Sequence, residues 1–236
     1  MNRSGQESED DKGLGFSTVI ASTVHDMKNS LGMLMQAHAE LAAKLPPELS
    51  NSREQGIIEY ESMRLNGMLV QMLGLYKLGV DQLPLQPVHI EVEDFFQAAL
   101  ARHQDILRSR QIQSSYDIAE EGLMGFFDAE LVDSVVSNVI NNSIRYAQSA
   151  VHLRAWVEQK QLVIAISDDG QGYPERMIEA QSDYVLGINM TSGSTGLGLY
   201  FGARIAERHQ RDGVFGHIEI SNDSELGGGE FRIYLP

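Results

Sequence analysis

Two groups of residues in this 236-residue chain have the types and spacing needed for chemistry. The first is His25-Asp-Met-Lys-Asn29, where a carboxylate directly follows a histidine and an amide follows one helical turn later. An exposed histidine can act as a nucleophile when one ring nitrogen is unprotonated, and Asp26 could accept the proton of the other nitrogen or orient the ring. The residues alone leave a second interpretation open, in which His25 is an ordinary solvated residue of a helix.

The second group begins with polar residues on a predicted helix over 129–147. Asn138 and Asn142 are one turn apart, and an amide oxygen is a suitable ligand for Mg²⁺. Arg145 and Tyr146 follow, where a guanidinium could meet phosphate and an aromatic ring could lie against a nucleobase. Considered alone, the two amides could also be the polar surface of a helix.

A first glycine segment, Asp168-Asp-Gly-Gln-Gly172, follows an apolar run that is typical of a buried strand. Asp168 could accept a hydrogen bond from the exocyclic amine of adenine. Gly170 and Gly172 would permit a tight turn and a close approach of the backbone to a ligand. A simple strand turn is the alternative, because Asp and Gly are common turn residues.

A second glycine segment opens a predicted helix and consists of Thr195, Gly196, Leu197 and Gly198. The backbone amides and the dipole at a helix N-terminus suit a polyphosphate. The polar stretch 175–193 before it is predicted to be a mobile lid. Neither segment has the spacing of a P-loop or of a dinucleotide-binding fingerprint, so the pattern favours a different nucleotide pocket.

The composition excludes several classes of function. A net charge of −15 disfavours binding to nucleic acid, whose affinity for proteins depends on clustered Lys and Arg. With no cysteine, the chain has no disulfide, no thiolate chemistry and no cysteine-ligated zinc. No apolar stretch is long enough to cross a membrane, and the polar N-terminus lacks the features of a signal peptide. We therefore expect a cytoplasmic protein without membrane insertion.

Alternating apolar spacings of three and four residues predict a helical hairpin that presents the first group. The first helix has one predicted seam and ends at Pro46-Pro47, and a second helix is predicted over 52–79. Two stripes of this width are hard to bury within one hairpin, so the pattern favours a homodimer with a four-helix bundle. The alternative is that the hairpin packs on the C-terminal domain of its own chain. The seam residues are Val24, Met27, Leu31, Leu34, His38, Leu41 and Leu45.

The remaining pattern alternates strands and helices, which predicts an α+β domain. We divide the chain into a disordered acidic lead-in, a hairpin, a proline-containing hinge and this domain, with bounds 1–13, 14–80, 81–88 and 89–236. The predicted strands lie at 88–91, 112–118, 150–158, 161–167, 216–221 and 230–235, and the helices at 93–109, 129–147 and 196–209.

The motif order from about residue 16 to 236 resembles that of two-component sensor histidine kinases. The H box lies at His25, the N box at 138–146 and the glycine boxes at 168–172 and 194–199. The resemblance implies a dimerisation and histidine-phosphotransfer hairpin, followed by an α/β-sandwich ATP-binding domain of the gyrase and histidine-kinase superfamily. It also implies ATP and Mg²⁺ as cofactors.

The resemblance also implies a role for each matched residue in the hairpin. His25 would be the phosphoacceptor and Asp26 its acid/base neighbour. Asn29 would position a water that hydrolyses a phosphorylated regulator. Unlike the common H box, this segment has no proline after the histidine and its acidic neighbour, so the bend seen in the family is not expected.

In the ATP-binding domain the resemblance makes Asn142 the magnesium ligand and Asp168 the reader of adenine. Asn138 stands where related ATPases carry a water-activating glutamate, which favours transfer to histidine over hydrolysis. The other implied contacts are Arg145 with phosphate, Tyr146 with the base, and Gly170, Gly172, Gly196 and Gly198 around the pocket and its lid.

The implied activity is autophosphorylation of His25 from Mg-ATP and transfer to an aspartate in the receiver domain of a response regulator, together with regulator phosphatase activity. An ATP-independent phosphotransfer adaptor or regulator phosphatase is the alternative, and a dimeric inhibitor that sequesters a regulator is a third. No sensor domain precedes the hairpin in this sequence, so we expect a separate sensor protein as a further partner.

Overall fold

The computed structural model describes residues 7–46, 49, 52–80, 82–179 and 197–236, with side chains from residue 19 onward. The chain divides into two compact units, Met1–Leu83 and Pro84–Pro236. Within the described residues, no helix is both long enough and apolar enough to cross a membrane.

The N-terminal unit is a hairpin of two long helices, α1 (Glu7–Ala42) and α2 (Arg53–Gly79). Helix α1 ends shortly before Pro46, and the side chain of Ser52 caps α2 by accepting a hydrogen bond from the Gln55 amide. Helix α1 already includes residues 7–13, where the sequence predicted a disordered lead-in. An established helix extends at little cost into adjoining residues that include no proline. Residues 1–6 lie outside the described residues.

The single seam predicted for α1 divides into two stripes in the structure. Val24 is buried, and every seventh residue after it, Leu31, His38 and Leu45, is partly covered. By contrast, Met27, Leu34 and Leu41 are exposed together with Ile20. His38 also hydrogen-bonds Gln55 of α2, so the first stripe is the one that faces α2.

The C-terminal unit contains nine strands and four helices within the described residues. In chain order they are β1 (Val88–Glu91), α3 (Val92–Ser109), β2 (Gln113–Ile118), β3 (Met124–Phe127), α4 (Ala129–Tyr146), β4 (Ala150–Glu158), β5 (Gln161–Asp168), α5 (Glu175–Glu179), α6 (Leu197–Arg208), β6 (Gln210–Arg211), β7 (Val214–Phe215), β8 (His217–Ser221) and β9 (Glu230–Leu235).

Five strands form the main sheet in the order β2-β4-β5-β9-β8, in which β2 and β4 are parallel and the other neighbours are antiparallel. Alternate residues of β4 and β8 are apolar and buried, whereas the central strands β5 and β9 are buried along most of their length. The amphipathic helices α3, α4 and α6 supply the other half of the core. Among the largest fully buried side chains are Phe96, Ile140, Leu153, Ile164, Phe201, Phe231 and Ile233.

Strand β3 was not predicted from the sequence. It forms a separate antiparallel pair with β1, with Val88 opposite Phe127. A four-residue strand that contains Gly125 has a weak local signal, and only its distant partner defines it.

Glu230, the first residue of β9, has a buried carboxylate that is fully hydrogen-bonded. Glu230 is 0% exposed and accepts hydrogen bonds from Arg154, Arg232 and Ser167. Burial alone would raise the pKa of Glu230, but these hydrogen bonds outweigh it and hold the pKa below its usual value. Because Ser167 directly precedes Asp168, this network fixes the end of β5.

Candidate functional site

In the hairpin, the structure brings His25, Asp26 and Asn29 together on α1. The His25 side chain is 57% exposed, and its Nδ1 lies 3.6 Å from Asp26 Oδ1. The amide Nδ2 of Asn29 lies 3.3 Å from the same ring nitrogen. Both contacts are made at Nδ1, and Nε2 makes no hydrogen bond within the described residues.

The predicted polar residues of the N box lie on α4. Asp128 caps the start of this helix by accepting a hydrogen bond from the Leu131 amide, and the apolar residues of α4 face the core. Asn142 is consequently exposed, and Arg145 lies 5.3 Å from the centre of the Tyr146 ring at the end of the helix. This end presents an amide, a cation and an aromatic ring on one open surface.

The first glycine segment begins where the buried strand β5 ends. Asp168 is 9% exposed, and its Oδ1 accepts a hydrogen bond of 2.9 Å from the amide of Gly170. A side chain at position 170 would collide with the backbone oxygen of Tyr146. Glycine at this position therefore lets the segment pack against the end of α4, which brings Asp168 and Tyr146 into one site.

Asp169 is a structural residue that sequence reasoning missed. Its carboxylate accepts backbone hydrogen bonds from Gln148, Ser149 and Ala150, and a further one from the Ser149 hydroxyl. Burial opposes the charged form, but the hydrogen bonds from Ser149, Ala150 and Gln148 outweigh it and lower the pKa of Asp169 to about 2. The antiparallel pairing of β4 with β5 could have suggested this role, since it places the turn before β4 beside the end of β5.

Gly228 is a second residue that the motifs did not include. A side chain there would collide with the backbone of Asp168 and Gly170. The turn before β9 thus covers the backbone of the first glycine segment, and the Ser224 hydroxyl both donates to and accepts from Gly228. The run Gly227-Gly228-Gly229 is the signal in the sequence that could have identified it.

The second glycine segment is described only in part. Leu197 and Gly198 open α6, whereas Thr195 and Gly196 lie outside the described residues. A side chain at position 198 would collide with the amide of Asn138, so the start of α6 packs against the N box. Of the predicted lid, residues 175–179 form the short helix α5 and the rest lies outside the described residues.

The geometry suits a nucleotide with a divalent cation. Across the part of the chain that the structure describes, no three His, Asp or Glu side chains form a metal-binding cluster. The exposed amide oxygen of Asn142 could hold a cation together with phosphate oxygens of a nucleotide, which is a donor set that suits Mg²⁺. Asp168 and the crowded glycine backbone lie beside Tyr146, one turn after Asn142 on α4.

Comparison with known proteins finds a family match in the C-terminal part and relatives that align over most of the chain. Residues 127–236 match the family described as histidine kinase-, DNA gyrase B- and HSP90-like ATPase. The sensor protein kinase PilS of Pseudomonas aeruginosa is 24% identical over 99% of this chain and 43% of its own length. The sensor histidine kinase YclK of Bacillus subtilis is 25% identical over 92% of this chain and 46% of its own length. The chain thus spans less than half the length of these relatives.

Solved structures share the fold. The catalytic domain of histidine kinase ThkA aligns with a TM-score of 0.55 and 18% identity over 64% of this chain and 97% of its own. Full-length ShkA in complex with AMPPNP aligns with a TM-score of 0.64 and 15% identity over 93% of this chain and 45% of its own. The Acinetobacter baumannii histidine kinase AdeS aligns with a TM-score of 0.58 and 17% identity over 89% of this chain and 96% of its own. The predicted fold, a helical hairpin followed by an α/β domain, is confirmed.

Proposed function

Because residues 127–236 match the family of histidine kinase-, DNA gyrase B- and HSP90-like ATPases, we propose that this chain is an ATP-dependent protein-histidine kinase. It phosphorylates His25 from Mg-ATP and transfers the phosphoryl group to an aspartate in the receiver domain of a response regulator. The observation that carries the proposal is the exposed His25, whose Nδ1 is contacted by both a carboxylate and an amide.

Asp26 prepares His25 for phosphorylation. When Nδ1 carries the ring proton, the negative charge of Asp26, 3.6 Å away, favours that tautomer and leaves the lone pair on Nε2. In that tautomer the Asn29 side chain turns its amide oxygen rather than Nδ2 toward Nδ1. Nε2 then attacks the γ-phosphorus, the bond from phosphorus to the bridging oxygen breaks, and ADP leaves. The reaction depends mainly on positioning and on stabilisation of phosphate charge.

The C-terminal unit binds the nucleotide. One oxygen of Asp168 accepts the Gly170 amide, which leaves the other oxygen for the exocyclic amine of adenine. Tyr146 lies beside the base, and Arg145 contacts phosphate. Asn142 is the ligand for Mg²⁺, which when bound would neutralise charge on the phosphates.

Asn29 supports regulator phosphatase activity as a second reaction of the same site. Its amide is 3.3 Å from His25 Nδ1 and lies on the same exposed face. From there it can hydrogen-bond a water beside the aspartyl phosphate of a docked receiver domain. Substitution of Asn29 by Ala should slow dephosphorylation of such a domain while His25 is still labelled, and an equal loss of both activities would contradict this division.

The exposed apolar stripes support a homodimer. On α1 they are Ile20, Met27, Leu34 and Leu41, and on α2 they are Ile58, Leu65 and Met72, each series repeating every seven residues. This spacing is typical of helices that pack in a bundle, so a second copy of the hairpin would cover both stripes. At about 100° per residue, His25 and Asn29 lie roughly 160° around α1 from Met27. The pairing would therefore leave the phosphoacceptor accessible.

The test is incubation of the purified chain with Mg²⁺ and γ-labelled ATP. We expect an acid-labile, base-stable label in the wild type, none in His25→Ala, and none in Asn142→Ala. The matched control is His38→Asn, which changes a second histidine of α1 that faces α2. This substitution should leave the label in place. Label that persists in His25→Ala would contradict the proposal. Absence of ATP binding by the wild type would instead favour an ATP-independent adaptor or phosphatase.

A further inference from the structure

Asn222, in the turn between β8 and β9, forms two hydrogen bonds with the backbone of Tyr173. The Tyr173 amide donates to Asn222 Oδ1 over 2.7 Å, and Asn222 Nδ2 donates to the Tyr173 carbonyl over 2.9 Å. The side-chain amide thus uses both its acceptor and its donor and pairs with Tyr173 as a neighbouring strand would. Neither residue belongs to the motifs that define the nucleotide site.

The second glycine of the first glycine segment makes room for this amide. Gly172 has φ of +76°, a conformation that favours glycine. A Cβ at this position would lie only 2.5 Å from Asn222 Oδ1. The shape of the glycine segment and the contact with Asn222 therefore depend on each other.

Tyr173 lies between Asn222 and the end of β5 that carries Asp168. Its ring packs against Gly229, where an added Cβ would lie 3.0 Å from the ring. Burial and the nearby charge of Asp168 both raise the pKa of the Tyr173 phenol, which therefore stays neutral. The Gly229 carbonyl also accepts the backbone amide of Asp168 over 3.0 Å, so Gly229 joins the Tyr173 ring to the end of β5 that carries Asp168.

We propose that Asn222 is a positioning residue for recognition of the nucleotide base. By pairing with Tyr173 it fixes the backbone from Gly172 to Tyr173 and the ring beside Asp168. The inference rests on the proposed function, in which Asp168 binds adenine. Because ADP and ATP share the base and differ only in the γ-phosphate, loss of the contact should weaken the binding of both by a similar factor.

The experiment compares wild type, Asn222→Ala, Asn222→Asp and the neighbouring control Asp223→Asn. Calorimetric titration with Mg-ADP and with a non-hydrolysable Mg-ATP analogue gives the two affinities. For Asn222→Ala we expect Kd to rise about tenfold for each ligand, because the loss of two neutral hydrogen bonds lowers the fraction of protein whose glycine segment is in the binding conformation. Asn222→Asp keeps the acceptor for the Tyr173 amide and should have an intermediate Kd, whereas Asp223→Asn should match the wild type.

Autophosphorylation kinetics separate positioning from loss of folded protein. We expect the KM for ATP to rise about tenfold in Asn222→Ala while kcat changes by less than about twofold, since saturating nucleotide restores the occupied site. A variant that is merely less folded would lose kcat with an unchanged KM, and that result would overturn the inference.

Unchanged affinities in a folded Asn222→Ala would also overturn the inference, as would a loss confined to the ATP analogue, which would place the effect at the phosphate end. If Asn222→Ala does not fold, Asn222→Asp decides, and wild-type affinity in that variant would overturn the inference. Failure of the wild type to bind ADP contradicts the proposed function instead.

Discussion

Two consecutive aspartates at the end of β5 have different partners and should fail in different ways when changed. The Asp168 carboxylate accepts one hydrogen bond, from the Gly170 amide, and is the residue that we propose binds adenine. The Asp169 carboxylate accepts several hydrogen bonds from the turn at 148–150. Asp168→Asn can still accept the Gly170 amide. We therefore expect it to retain a folded domain and to lose nucleotide binding.

Asp169→Asn should instead lower the free energy of unfolding. The folded-state pKa of Asp169 is lowered from 3.8 to about 2, so its carboxylate stabilises the fold above pH 3.8 and loses this effect as pH falls toward 2. Urea unfolding should show the variant less stable than wild type at pH 7, with a difference that narrows below about pH 4. A difference that stays constant at low pH would contradict the assignment, and Asp168→Asn is the matched control.

The sequence predicted Asp168 as a site residue but not Asp169. An aspartate after a buried strand and before Gly170 is a local pattern, and it can be read from consecutive residues. The partners of Asp169 come from a turn about 20 residues earlier, and only the register of β4 against β5, with Val151 opposite Asp168, brings them near.

At the scale of elements, the bounds of α2 were predicted closely. The division of the α1 seam into a stripe that faces α2 and an exposed stripe was not predicted. Helix α2 was expected over 52–79 and is observed at Arg53–Gly79. Apolar spacing identifies a helix because it reports burial at a period near 3.6 residues, but it does not say which partner each residue meets. Val24 meets α2 and Met27 is exposed, although both fit the same spacing of three and four.

The exposed stripe of α1 gives a test of the homodimer. Leu34 is 56% exposed in the single chain, and a charge there would be buried against a second copy. We expect Leu34→Lys to shift the protein to monomer, which sedimentation velocity can measure over a range of concentrations. Gln36→Lys adds the same charge about 160° around the helix and should leave the dimer intact. Equal dimerisation of the two variants would contradict the proposed interface.

At the scale of the whole molecule, a buried histidine joins the two helices that carry the nucleotide motifs. His209, just after α6, has its Nδ1 paired with the Ile205 carbonyl over 2.9 Å, and its Nε2 accepts the amide of Asp128 over 3.0 Å. Asp128 is the cap of α4, and its Oδ2 also accepts the amide of Gln86. The sequence could not predict this link, since its residues lie more than 80 positions apart.

Because both nitrogens of His209 are engaged, one as donor and one as acceptor, the fold requires the neutral ring. Burial lowers the pKa of His209, and likewise that of the buried His103, below the usual 6.5. Below about pH 6.5 the unfolded chain therefore binds protons that the folded chain does not, so stability should fall as pH drops. We expect a lower urea midpoint at pH 5.5 than at pH 7.5.

In His209→Gln a side-chain amide can still accept the Asp128 amide, but it does not reproduce both hydrogen bonds of the imidazole, so we expect the variant to be less stable than wild type at pH 7.5. Because the variant lacks the titrating group, it should lose less stability on acidification. The control is His89→Gln, because His89 is an exposed histidine of β1 and its substitution should leave the pH dependence unchanged. If His209→Gln kept the full wild-type dependence on pH, protonation of this link would not be what destabilises the domain. A reduced dependence in His209→Gln alone would instead place an acid-sensitive contact at the cap of the helix that carries Asn138 and Asn142.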